Sequence, residues 1–134
     1  MRAFALLFMF LIMSSPTSAG DDIAAAQTII RAQEEAFNRD DAAAAYSYAA
    51  PGIRERFPLA DVFLGMVRNS YAPVYRHKSF EFGEARASEG KIAQQVHIVD
   101  SEGLPWEALY TLELQDDGSL KISGCVLIKT GQGV

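Results

Sequence analysis

The sequence predicts an α+β fold in which three N-terminal helices pack on a curved four-stranded antiparallel meander. Apolar residues recur at helical spacing as far as about Asn69, and at every second position from Tyr75 onward. In that second half, Ser88-Glu89-Gly90, Ser101-Glu102-Gly103 and Asp116-Asp117-Gly118 each separate two alternating stretches, as three-residue loops closed by glycine do. With 134 residues, 49% of them hydrophobic, the chain suffices for one core and not for two ordinary domains.

Arg2, the apolar run Ala3 to Met13, Pro16 and the small triplet Thr17-Ser18-Ala19 read as a secretory signal cut after Ala19. The run is too short to remain as a spanning helix, so no stable membrane insertion is expected after cleavage. Residues 1–19 are therefore assigned to the signal and 20–134 to one domain, in the periplasm or secreted. Asp21 or Asp22 can cap a first helix whose apolar side holds Ala25, Ala26, Ile29, Ile30, Ala36 and Phe37. Gln27, Arg31, Glu34 and Arg39 form its polar side, and Gln33 falls in the apolar stripe, where its amide needs a partner. Asp40 or Asp41 caps a short alanine-rich helix that Pro51-Gly52 stops, and Arg54, Glu55 and Arg56 form a connection. A third helix runs from Ala60 to Asn69, and Ala72-Pro73 ends it.

Three-residue loops set Ala87 opposite Lys91, Asp100 opposite Leu104 and Gln115 opposite Ser119. Extended along the strands, these registers place Phe80, Ile98, Trp106 and Ile128 in one row, and Phe82, Val96, Ala108 and Val126 in the next. That apolar face needs the helices as cover.

The formal net charge of −5 becomes −6 when Arg2 leaves with the signal. An acidic chain without a basic cluster is a poor fit to nucleic acid or anionic membrane surfaces. Cys125 is the single cysteine and has no intramolecular partner; a buried inert thiol is the favoured reading, an intermolecular disulfide the alternative. No nucleotide loop, nucleophile with its base, or zinc spacing is present, so no cofactor, metal or catalytic residue is assigned.

Helices followed by a twisted meander resemble the cone-shaped fold of nuclear transport factor two and ketosteroid isomerase. A closer resemblance, to domain-of-unknown-function family 4864 of exported bacterial proteins, rests on five segments. These are Asp40-Asp41 with Ala45 to Pro51, Phe57-Pro58, Phe63 to Val67 with Tyr71 to Val74, Trp106 to Tyr110, and Asp117 to Ser119 leading to Ile122-Ser123-Gly124-Cys125. The family resemblance implies fold and export and carries no activity over. The wider fold implies a cavity between helices and sheet, used for small apolar ligands or for acid-base chemistry.

Candidate pocket residues are Glu84, Gln94, Tyr110 and Gly124, which form the third row of the covered face, together with Trp106. By analogy with the isomerase, Glu84 would act as base while Tyr110 and Gln94 bind a developing oxyanion. That lyase or isomerase reading is the alternative. The favoured reading is a non-catalytic module that binds a small apolar ligand or acts as an interaction partner. On the other face Glu81, His97 and Glu107 form a cross-strand charge row. Beside it Val99, Leu109, Cys125 and Leu127 form an apolar patch, which predicts a homodimer packed sheet to sheet.

Overall fold

The computed structural model describes residues 18–130, so the expected signal lies, up to Thr17, outside the described residues. The helices are α1 (Ala19–Asn38), α2 (Ala42–Ser47), α3 (Pro51–Arg56), α4 (Ala60–Ser70) and α5 (Ala72–Tyr75). The strands β1 (His77–Ser88), β2 (Lys91–Asp100), β3 (Pro105–Leu114) and β4 (Leu120–Lys129) form one antiparallel sheet in that order. This is the predicted α+β meander, with the helices on one sheet face. Among the described residues, no helix is long and apolar enough to cross a membrane.

Local chemistry explains where the helices begin. Ser18 caps α1 by accepting the Asp21 N–H (3.2 Å), which leaves Asp21 and Asp22 in the first turn and not in the capping role expected of them. Asp41 caps α2 through the Ala44 N–H (3.0 Å). Asp40, at φ 55°, makes the left-handed corner between the two helices, and its carboxylate takes the Tyr75 hydroxyl and Arg76 Nη2 (3.0 Å). The expected connection at Arg54 to Arg56 is helical instead. Pro51 ends the preceding segment and also opens α3, since a proline at the first helical position loses no hydrogen bond. Likewise Pro73 lies within α5 rather than beyond the last helix.

Between α2 and α3 the chain pairs with the edge strand. Ala50 N–H donates to the Ile122 carbonyl (2.8 Å) and Ile122 N–H to the Tyr48 carbonyl (2.8 Å). This covers part of the β4 edge, which would otherwise be open to another chain.

Two of the three turns have the expected register: Asp100 N–H meets the Leu104 carbonyl, and Gln115 N–H the Ser119 carbonyl. The first turn is shorter. Glu89 (φ 50°) and Gly90 (φ 76°) both adopt positive φ, as a two-residue hairpin turn requires, and Ser88 rather than Ala87 faces Lys91. A bulge between Phe82 and Ala85 absorbs the difference, so Phe80 still pairs with Ile98 and Phe82 with Val96. Glycine there leaves room for the His97 ring, since a Cβ on Gly83 would lie 2.6 Å from His97 Nε2 and force that side chain to shift.

A second bulge moves half of β4. Leu112 pairs with Ile122 but Thr111 with Gly124, which leaves Ser123 as the extra residue. Beyond it Tyr110 faces Cys125, Ala108 faces Leu127, and Trp106 faces Lys129. The expectation that Cys125 and Leu127 lie on the outer face is therefore corrected, because one inserted residue reverses every side chain after it. Both pack against the core, while Val126 and Ile128, expected inside, are 58% and 57% exposed.

Beneath α1 the structure buries charge. Glu34, read from its residue type as a solvated position, is 9% exposed because it follows Ala26 and Ile30 at helical spacing on the stripe facing the sheet. Its carboxylate meets Arg31 Nη1 at 2.7 Å and His77 Nε2 at 2.5 Å. His77 Nδ1 lies 2.9 Å from the Pro73 carbonyl, so both ring nitrogens have a polar partner. Arg31 also donates to the Phe80 carbonyl (2.9 Å) and lies over the Phe82 ring (4.6 Å).

Removing Glu34 takes from the buried His77 Nε2 and from Arg31 Nη1 the carboxylate that each contacts. Glu34→Ala should lower stability by about 3 kcal/mol in urea unfolding, the usual result of breaking a buried pair from one side. A loss no larger than that of an exposed substitution would contradict this account of α1. A second prediction concerns Asp100, whose carboxyl is held below its ordinary 3.8 first by the Trp106 indole N–H (2.9 Å) and then by turn amides. A lowered folded value means that its stabilisation is present above 3.8 and lost as pH falls through the lower folded value. Fluorescence of Trp106, the single tryptophan, should change over that acid window while the far-ultraviolet circular dichroism is still native. Asp100→Asn should abolish the step; a step that persists would show that Asp100 does not report there.

Candidate functional site

The cavity that stands out lies between helices and sheet and holds about 440 Å³. Gln33 and Phe37 of α1, Ile53 and Arg56 of α3, Phe57, then Phe63, Met66 and Val67 of α4 supply its helical side. Tyr110 of β3 and residues 122 to 126 of β4 supply the floor, and Tyr71 and Val74 complete it. The aromatic side chains brace one another, with Phe63 between Phe37 (6.2 Å), Tyr46 (5.6 Å) and Phe57 (6.4 Å). Of its lining residues Gly52, Arg56 and Val126 are exposed, and the mouth is taken as the helical rim by Gly52 and Arg56.

The floor owes its chemistry to the Ser123 bulge. By turning Cys125 inward, the bulge sets the thiol against the Tyr110 hydroxyl. Burial pushes Cys125 up to about 12, against a smaller opposing effect of the Tyr110 hydrogen bond. Tyr110 is raised well above its ordinary value, chiefly by burial and then by the nearby Cys125 and Glu34. Both groups are neutral at physiological pH. A thiol so far from ionisation is a poor nucleophile, so the floor offers polar contacts and not covalent chemistry.

Gln33 brings a buried amide to the helical side of the lining, at 4% exposure. Its Nε2 donates to the Ala45 carbonyl (3.1 Å), and because that oxygen can only accept, the amide orientation is fixed. Oε1 then meets no donor among the described residues. Since no side-chain polar atom sealed from solvent lacks a partner among them, Oε1 is not sealed from solvent, and Gln33 is a lining residue of the cavity.

The expected third row is broken at both ends. Glu84 sits in the β1 bulge, exposed, and lines a shallow concavity on the outer face with Gln95, Glu107 and Leu109. Ala85, not Glu84, pairs with Gln94. Gln94 is fully buried but outside the cavity lining, accepting from Gln27 (3.0 Å) and donating to the Gln95 (2.7 Å) and Gly83 (3.2 Å) carbonyls. It acts as a clamp between α1 and the bulge. Gly124 faces Thr111 and not Tyr110, and a Cβ there would stand 3.0 Å from Thr111 Oγ1. Trp106 lines a separate groove beside Leu127. Of the five candidates, Tyr110 and Gly124 reach the main cavity.

On the outer face Glu81, His97 and Glu107 do align across β1, β2 and β3. His97 Nδ1 contacts Glu107 Oε1, whose other oxygen accepts from Gln95 Nε2 (2.9 Å). No cluster able to hold a metal ion occurs among the described residues. Glu107 faces Ile128 rather than Leu127, so the apolar neighbours of this row are Leu109, Val126 and Ile128. Val99 pairs with Pro105 at the sheet's end.

Arg56 was missed as a site residue because Pro51-Gly52 reads as a stop; read instead as a helix start, it places Arg56 one turn beyond Gly52. No curated protein matches this chain. The family model described as Domain of unknown function (DUF4864) matches residues 19–133, and the chain belongs to that family.

Proposed function

We propose that this chain is an exported protein that holds a small apolar ligand in the cavity between its helices and sheet, without catalysing a reaction on it. The apolar cavity of about 440 Å³ carries the reading, since small-molecule sites are concave, mostly apolar and furnished with a few polar groups. Helices laid over one face of an antiparallel meander resemble the nuclear transport factor two and ketosteroid isomerase cone, whose members hold ligands between those layers. An isomerase needs a carboxylate aimed inward, and the one charged side chain among the described lining residues is Arg56. Glu84, the base that reading required, is on the far face.

Export rests on the N-terminal sequence. Cleavage after Ala19 would remove Ser18 and start α1 at Gly20, with Asp21 and Asp22 left to favour the helix N-terminus. Native mass spectrometry of the protein recovered from the periplasm or medium should show a chain beginning at Gly20 with a small molecule retained. Met66→Trp, which fills the cavity, should abolish retention with little change in unfolding midpoint. Retention undiminished in Met66→Trp would place the ligand elsewhere.

A second reading is favoured by one observation: Leu109, Val126 and Ile128 are exposed together on the outer face, at 42%, 58% and 57%. An isologous sheet-to-sheet homodimer would bury them. In sedimentation, wild type should run as a dimer and Val126→Glu as a monomer; an unchanged state in Val126→Glu would overturn it.

A further inference from the structure

The polar groups of the cavity differ in depth and sign. Gln33 Oε1, on a residue 4% exposed, is an acceptor without a donor at the closed end. Arg56, exposed at the mouth, is a cation that makes no ion pair among the described residues. Between them lie Phe37, Phe57, Phe63, Met66 and Val67, which ask only for apolar surface. A ligand that satisfies all three zones carries a hydrogen-bond donor at its inner end, a hydrocarbon body and an anion at its outer end.

We infer that the cavity takes a hydroxylated, apolar monocarboxylate, with the hydroxyl donating to Gln33 Oε1 and the carboxylate paired with Arg56 at the mouth. This inference rests on the ligand-holding function proposed above and assigns the ligand its class. A purely hydrocarbon ligand would cover Gln33 Oε1 and leave it unpaired, which penalises binding; a hydroxyl removes that penalty. The Ala45 carbonyl prevents the amide from turning its NH₂ inward, so the closed end selects donors over acceptors. The outer end discriminates less, because a solvated guanidinium at a rim gains less from pairing than a buried one.

Calorimetric titration of the full chain with ω-hydroxydecanoate, decanoate and decanol tests each zone. Arg56→Gln and Gln33→Met serve as the variants, and the Arg56 substitution alters an exposed residue that the fold does not use. In wild type, ω-hydroxydecanoate should bind tighter than decanoate, by about fivefold for one buried hydrogen bond. Arg56→Gln should weaken both acids about fivefold, within the range of a partly solvated ion pair, and leave decanol unchanged. Gln33→Met should erase the advantage of ω-hydroxydecanoate, with decanoate binding tighter because it no longer covers an unpaired oxygen. If all three probes bind alike and neither variant separates them, this ligand class is wrong and the apolar cavity stands. If none of the three binds, the ligand-holding function fails with it.

Discussion

Leu112 pairs with Ile122 and Thr111 with Gly124, so Ser123 has no cross-strand partner of its own, and β4 beyond it presents the opposite set of side chains to the helices. Ser123 Oγ bonds Thr111 Oγ1 at 3.1 Å, and Gly124 lets the same threonine approach closely. The bulge is thus held by side-chain chemistry on the outer face while its effects appear on the inner one. It brings Cys125 under Tyr110 and seats Leu127 against the core. It also turns Val126 and Ile128 out to solvent. The character of the cavity floor and of the outer sheet face both follow from one inserted residue.

The other end of the inner face depends on α1, which meets the sheet through polar groups as well as apolar ones. Gln27 reaches Gln94 near the β1 bulge, Arg31 and Glu34 reach the start of β1, and Gln33 reaches α2. Such contacts add little net stability compared with apolar packing, but each is costly to leave unmade once buried. They favour one angular setting of the helix over its neighbours, since a rotation of α1 about its axis would strand several polar groups at once. That setting carries Gln33 to the wall of the cavity.

The sequence reveals much of this arrangement where alternation has a single solution. Phe80, Ile98 and Trp106 align, as do Phe82, Val96 and Ala108, because polar residues separate them and a slip would bury Glu81 or His97. From Ile122 to Ile128 nearly every residue is small or apolar, so both registers give an acceptable inner face and the pattern cannot choose. In β1 a signal was present: Glu84 and Arg86 alternate with Ala85 and Ala87, which favours the alanines inside and hence a bulge at Gly83. Glu34 was misplaced for a different reason, as its spacing assigned it to the buried stripe while its charge argued for solvent. A buried carboxylate is read from sequence only when its partners are known, and His77 is 43 residues away.

Of the polar groups along the cavity, the two on its floor are held uncharged by the burial that makes the cavity apolar, and Gln33 does not titrate at all. General acid-base catalysis needs a group whose proton is exchanged near the working pH, and covalent catalysis needs an accessible nucleophile. Binding needs neither. It needs shape, apolar surface and a few dipoles whose orientation is fixed before the ligand arrives, because a preorganised group loses no freedom on binding. Gln33 meets that condition through the Ala45 carbonyl, and Tyr110 meets it by pairing with an inert thiol. The desolvation that raises Tyr110 and Cys125 is thus the property on which the proposed holding role draws.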